Sequence, residues 1–200
     1  AAPSADAAWQ PTGTVLVTGG TGALGARVAR WAARQGAARL LLVSRRGAQA
    51  PGADALGEEL RRLGTDVTFA AVDLADREGV RALLDAHPVD AVVHTAGVID
   101  DGVLDGLDPR AFRSVFAAKT TGARHLDELT RDRDLSAFVL FSSFAGAVGS
   151  AGQGNYAAAN ALLDALAERR RAEGLPATSI AWGPWAGGGM AADADAEDRQ

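Results

Sequence analysis

Two hundred residues with 48% apolar and 22% charged side chains are enough for one well-buried domain, and they exclude a disordered polymer. Twenty basic against 25 acidic residues leave a formal charge of −5, which excludes a strongly basic face and with it nucleic acid as a partner. There is no cysteine for a disulfide or thiolate metal site, and no apolar run near the roughly 18–20 residues of a membrane span, so the expected setting is cytoplasmic, with neither membrane nor metal.

Residues 1–8 read as a linker, and the missing initial Met and polar end suggest a piece of something longer. From Trp9 onward, short β-branched apolar runs alternate with amphipathic stretches, the pattern of stacked βαβ units. The first strand is expected at Thr14–Thr18 and its helix at Leu24–Gln35. Their junction, Thr18-Gly19-Gly20-Thr21-Gly22-Ala23-Leu24-Gly25, contains Gly20-x-Gly22-x-x-Gly25. Such a turn needs glycine freedom, bare backbone beside a pyrophosphate, and helix N–H donors facing the anion.

The second strand, Leu40–Ser44, runs into Arg45-Arg46-Gly47. A carboxylate at this point would hold a ribose 2′-hydroxyl and repel a 2′-phosphate; arginine offers bidentate donors to that phosphate, so NADPH is favoured, with Arg45 preferred. A helix at Asp54–Leu63 precedes the third strand, Val67–Val72, and then Asp73-Leu74. Asp73 can accept from an adenine amino group or cap the helix at Glu78–Ala86. The fourth strand, Ala91–His94, ends in Thr95-Ala96-Gly97, small residues that let backbone pass beside a ribose; His94 itself reads as a packed or hydrogen-bonded histidine. A long helix, Asp108–Leu129, starts on an Asp-Pro cap and carries Lys119.

The fifth strand, Phe138–Ser142, is followed by Ser143, and a helix at Tyr156–Arg171 stops near Gly174. The sixth strand is Thr178–Trp182. Near-continuous apolar strands indicate a parallel sheet covered on both faces, a Rossmann-type doubly wound α/β fold with ligands at the strand carboxyl ends. Tyr156 and Asn160 share one helix face. Carbonyl reduction needs a hydride donor, a group polarising the carbonyl and a proton source for the alkoxide. A free tyrosine has a pKa of about 10 and serves near neutrality better beside a cation. Tyr156 as acid, Ser143 as carbonyl donor, Lys119 as cation and Asn160 as an ordering group would meet that need. The candidate cofactor residues are Thr18, Gly19, Gly20, Thr21, Gly22, Leu24, Gly25, Ser44, Arg45, Arg46, Asp73, Leu74, Ala96 and Gly97.

Thr18–Gly25, Ser44–Gly47, His94–Gly97, Ser142-Ser143 and Gly152–Asn160, in that order, resemble a short-chain dehydrogenase/reductase. More closely the stretch from about Trp9 to Met190 resembles the catalytic half of a ketoreductase domain from a modular polyketide synthase. The general reductase pattern Tyr-x-x-x-Lys is replaced by Tyr156-x-x-x-Asn160, with Lys119 where ketoreductases place lysine. The resemblance implies one catalytic domain over 9–190, a mobile or truncated lid segment over 191–200, and a structural subdomain elsewhere in the synthase. It further implies NADPH-dependent reduction of a β-ketoacyl thioester held on the phosphopantetheine of an acyl carrier protein. Val98-Ile99-Asp100-Asp101 resembles the Leu-Asp-Asp signature of B-type members, which give a D-configured β-hydroxyl, with Asp101 the orienting residue. Val148 stands where the other class has tryptophan, and Asn155 before Tyr156 is not the proline pattern of epimerising members, so B1-type chemistry is expected. Trp182-Gly183-Pro184-Trp185 resembles the segment beside the nicotinamide. Two other readings stay open: a ketoreductase that binds cofactor without reducing, and a reductase of small free carbonyl compounds.

Overall fold

The computed structural model describes residues 8–106, 108–183 and 185; most of the expected linker, Pro184 and the segment from 186 to the end lie outside the described residues. The short apolar runs form six strands, β1 (Thr14–Thr18), β2 (Arg39–Ser44), β3 (Asp66–Ala71), β4 (Ala91–His94), β5 (Ala137–Ser143) and β6 (Thr178–Trp182). All neighbours pair in parallel, in the order β3-β2-β1-β4-β5-β6. Parallel strands need long crossovers, and helices fill them: α1 (Ala23–Arg34), α2 (Ala53–Arg62), α3 (Arg77–Ala86), α4 (Pro109–Phe116), α5 (Gly122–Thr130), α6 (Phe144–Val148) and α7 (Gly154–Ala172). This is the expected doubly wound α/β architecture, with the order reversing between β1 and β4. Among the described residues no helix is long and apolar enough to cross a membrane.

The continuous apolar strands are explained by burial on both faces. Val15, Val17, Leu40 and Leu42 gather with Ala29 and Ala32 of α1 and Leu56 and Leu60 of α2. The alternate residues Leu16, Leu41 and Val43 gather with Val80 and Leu84 of α3, Leu126 of α5 and Leu163 of α7. Each such Val or Leu contributes about 1.5–3 kcal/mol by leaving water. A clasp of charges sits on the second face: Asp127 of α5, fully buried, accepts from Arg170 Nη1 and Arg169 Nη2 of α7, each at 2.5 Å. The Arg170 guanidinium also lies 4.0 Å over the Phe138 ring of β5.

Helix ends follow the local chemistry. Asp108 Oδ1 accepts from Arg110 N and Ala111 N at 2.8 and 2.9 Å, opening α4 with Pro109 in its first turn. Gly174, at φ +79°, closes the chain after α7. The expected single helix over Asp108–Leu129 is instead α4 and α5 joined by a wide π turn, Ala117–Thr121, with Lys119 at its centre. Such widened turns inside helices are frequent at functional sites, because they re-aim one side chain. At the opposite end of the sheet, Asp90 ties three strands. Its Oδ2 accepts from Thr14 N at 2.6 Å, and its carbonyl accepts from Ser136 N at 2.8 Å.

Candidate active site

Two connected recesses open over the carboxyl ends of the strands, meeting at Leu24 and Thr95. The larger encloses about 970 Å³ and is lined by the β1–α1 turn and the ends of β2, β3 and β4. Gly19 takes φ +64° there, a conformation open to glycine. A Cβ on Gly20 would stand 2.9 Å from Val17 O and from Leu42 Cβ, and one on Gly25 would collide with Gly19 O. Glycine at these positions therefore lets α1 press against the strand ends and leaves bare backbone facing the recess. Gly22 N donates to Gly19 O at 2.8 Å, tightening the turn.

Of the expected cofactor residues, Gly19, Thr21, Gly22, Leu24, Gly25, Ser44, Arg45, Arg46, Asp73, Leu74, Ala96 and Gly97 line this recess. Thr18 and Gly20 are buried beneath it and support it from behind. Arg45 and Arg46 are exposed, and among the described residues neither makes an ion pair. Ser44 Oγ accepts from Gly47 N at 3.0 Å, bending the chain at the β2 end. Asp73 Oδ1 accepts from Ala75 N at 2.9 Å, so it shapes its own turn while still facing the recess.

The smaller recess, about 240 Å³, brings together Lys119, Ser142, Ser143 and Tyr156 with Trp182 and Trp185. The π turn delivers Lys119, buried, with Nζ donating to Phe141 O at 2.9 Å and lying 5.3 Å from the Tyr156 ring centre. Burial pushes the Lys119 ammonium down from 10.5 to about 8, and the negative charge of Asp164 pulls the other way. Ser143 caps α6, its Oγ accepting from Ala145 N at 3.2 Å, which leaves the hydroxyl proton free to donate. Asn160 lies one turn beyond Tyr156; its Nδ2 donates to Tyr156 O at 2.8 Å, and its buried Oδ1 has no partner among the described residues. Of the four expected residues, Ser143, Tyr156 and Lys119 line this recess, and Asn160 lies behind Tyr156 outside its lining.

The reading of His94 as hydrogen-bonded holds. It is fully buried, its Nε2 meets Lys119 O at 2.8 Å and its Nδ1 meets Thr18 Oγ1 at 2.8 Å. Desolvation drives the imidazole down from 6.5 to about 4, so it is neutral near pH 7. The expected aromatic segment packs as a run of tilted rings, Phe141 to Trp182 at 5.3 Å and Trp182 to Trp185 at 4.7 Å, and it also walls the smaller recess.

Contacts missed at the sequence level tie the Asp100-Asp101 loop to the start of α7. Asp101 Oδ2 accepts from Gln153 Nε2 at 2.8 Å, and Gly102 N donates to Gly152 O at 2.8 Å. Asn155, fully buried, donates from Nδ2 to Asp100 O at 2.7 Å and accepts Tyr156 N at 2.7 Å. An Asn beside the expected acid, with Gln two residues before it, was the available signal; the pairing across about fifty residues was not.

A family model described as the KR domain matches residues 13–187. The polyketide synthase GfsA of Streptomyces halstedii is 61% identical over 196 residues, which cover 96% of this chain and 3% of that protein. The pikromycin polyketide synthase component PikAIII of Streptomyces venezuelae is 58% identical over 191 residues, 94% of this chain and 12% of that protein. The chain therefore spans a small part of these relatives. Among solved structures, the first ketoreductase of the tylosin polyketide synthase superposes with a TM-score of 0.89 at 60% identity, covering 93% of this chain and 41% of that one. A-type ketoreductases from a modular polyketide synthase superpose with a TM-score of 0.92 at 55% identity, covering 98% and 42%.

Proposed function

Because this chain belongs to the KR domain family, the β-keto-reducing oxidoreductase domains of polyketide synthases, we propose that its own substrate is a β-ketoacyl thioester on the phosphopantetheine arm of an acyl carrier protein, and its reductant NADPH. The observation that carries this reading is the meeting of Ser143, Tyr156 and Lys119 in one small recess that opens into a dinucleotide-sized one. The residues fit the cofactor. Glycines at 20 and 25 hold a cradle that a Cβ would obstruct, and exposed guanidiniums stand at the β2 end where a 2′-phosphate would lie. When bound, the dinucleotide supplies the hydride that reduces the carbonyl carbon.

The chain's own groups handle the oxygen. Ser143 Oγ–H donates to the substrate carbonyl, and Tyr156 gives its phenolic proton to the forming alkoxide. The Lys119 ammonium, 5.3 Å from the Tyr156 ring, stabilises the negative charge left behind. Asn160 fixes the Tyr156 carbonyl and offers a buried acceptor able to order a water. Trp182 and Trp185 give this recess an aromatic wall.

We assign the product the D configuration, without epimerisation, on the Asp100-Asp101 loop, which Gln153 and Asn155 clasp beside Tyr156. That clasp is the support for a steering role of Asp101. The remainder of the synthase, in the cytoplasm, contributes the acyl carrier protein and a structural subdomain. The test is NADPH oxidation with a short β-ketoacyl thioester, resolving product chirality. Tyr156→Phe should lower turnover by about a hundredfold or more while NADPH still binds; undiminished turnover sinks the assignment. Asp101→Ala should lower enantiomeric purity before rate, and unchanged chirality would remove Asp101 from steering.

A further inference from the structure

His94 takes no part in the chemistry above, yet it is fully buried and makes two side-chain hydrogen bonds. Lys119 O is an acceptor only, so His94 Nε2 carries the proton and donates to it. Nδ1 is then the acceptor and takes the hydroxyl proton of Thr18. Thr18 Oγ1 in turn accepts from Ala96 N at 3.3 Å, and Thr95 Oγ1 donates to Thr18 O at 2.6 Å. In each of these four hydrogen bonds the donor and the acceptor are thereby fixed.

This support meets the π turn at its centre. Gly122 N–H is shared between Ala117 O and Lys119 O, so the widened turn draws on the Lys119 carbonyl from inside the helix. His94 Nε2 adds a side-chain donor to the same carbonyl from β4. Gly122 lets the helix come close enough, because a Cβ there would lie 2.7 Å from Leu74 Cβ and 3.6 Å from His94 Cε1. The geometry points to His94 as a positioning residue. It holds the backbone of Lys119 at the height at which Nζ reaches Phe141 O and the Tyr156 ring, and it anchors that lysine to Thr18 and Ala96 at the floor of the dinucleotide recess. The cofactor turn and the catalytic cation thereby share one hydrogen-bonded support.

Among the described residues, the charged and titratable groups facing this unit are few. Lys119 opposes a charge on His94, while Asp164 of α7 favours the charge on Lys119, beside which lies the Tyr156 ring. Lys119 is the only lysine among the 200 residues, so [ε-13C]lysine gives the chain a single side-chain resonance whose titration can be followed without turnover.

In His94→Phe, which keeps a ring and deletes both hydrogen bonds, the Lys119 midpoint should rise by about one unit or more as the amine leaves its buried seat. The kcat for the thioester should fall about tenfold, with KM for NADPH changed less than about twofold. His94→Gln, whose amide can still donate to Lys119 O, should restore both. If His94→Phe does not fold, Thr18→Val takes its place and should move both readouts the same way by a smaller step. A lower melting temperature with Lys119 titration and kcat unchanged means that His94 is only a core residue, and the proposal is overturned. The kcat readout rests on the reductase reading, whereas the lysine midpoint does not. A parent chain without turnover therefore sinks the reductase reading, and the midpoint still decides the role of His94.

Discussion

Arg45 and Arg46 flank the larger recess without an ion-pair partner among the described residues, so a phosphate there gains charge-assisted bonds without breaking existing ones. Arg45→Ala should weaken NADPH about tenfold and NADH much less; equal losses in titration calorimetry would place the 2′-phosphate elsewhere. Lys119 is charged below about 8, so turnover that depends on its field should decline as pH rises through that value, a limb absent from Lys119→Met. His94 sets an acid limit on the fold. Its folded value near 4 lies below the ordinary 6.5, so between these the unfolded chain binds a proton that the folded chain refuses. Stability is therefore lost as pH falls from about 6.5 to 4. Thermal melts of the parent should drop further between pH 7 and 5 than those of His94→Gln.

Among the elements, the strands were the most legible, because residues such as Val15-Leu16-Val17 and Leu40-Leu41-Leu42 are buried on both faces and carry no polar alternation. The site residues were legible wherever the backbone offers one route, as at a strand end followed by glycine. The π turn was not. Residues 109–130 suit a regular helix throughout, and the widening is tied to His94, which reaches Lys119 O from a strand 25 residues earlier. The five residues of α6 are too few for a periodic pattern, and the Asp101–Gln153 pair joins segments 52 residues apart. The α5–α7 clasp was likewise hidden, since Arg169-Arg170-Arg171 reads as a charged helix end until Asp127 is placed opposite. Asp127→Ala leaves Arg170 buried without its counter-charge and should cost about 3–5 kcal/mol in urea unfolding. A loss below 1 kcal/mol would make the clasp ornamental.

At the scale of the whole molecule, the Asp90 staple and the proposed chemistry occupy opposite ends of the sheet. Asp90 staples the amino ends of β1, β4 and β5, while every proposed catalytic group lies over the carboxyl ends. Asp90→Ala leaves Thr14 N without its partner and should lower the melting temperature by several degrees, while kcat of the folded protein is retained. The strand order carries a consequence in time. β1 pairs with β2 and, through Val15 and Ala91, with a strand that lies some seventy residues downstream. Once β3 has emerged from the ribosome as far as Ala71, about twenty more residues must follow before β4 appears, about one to four seconds of elongation at common rates. Throughout that interval the newborn half-sheet β3-β2-β1 has an open, apolar rim along β1, the edge at which a nascent chain is most exposed to the wrong neighbour.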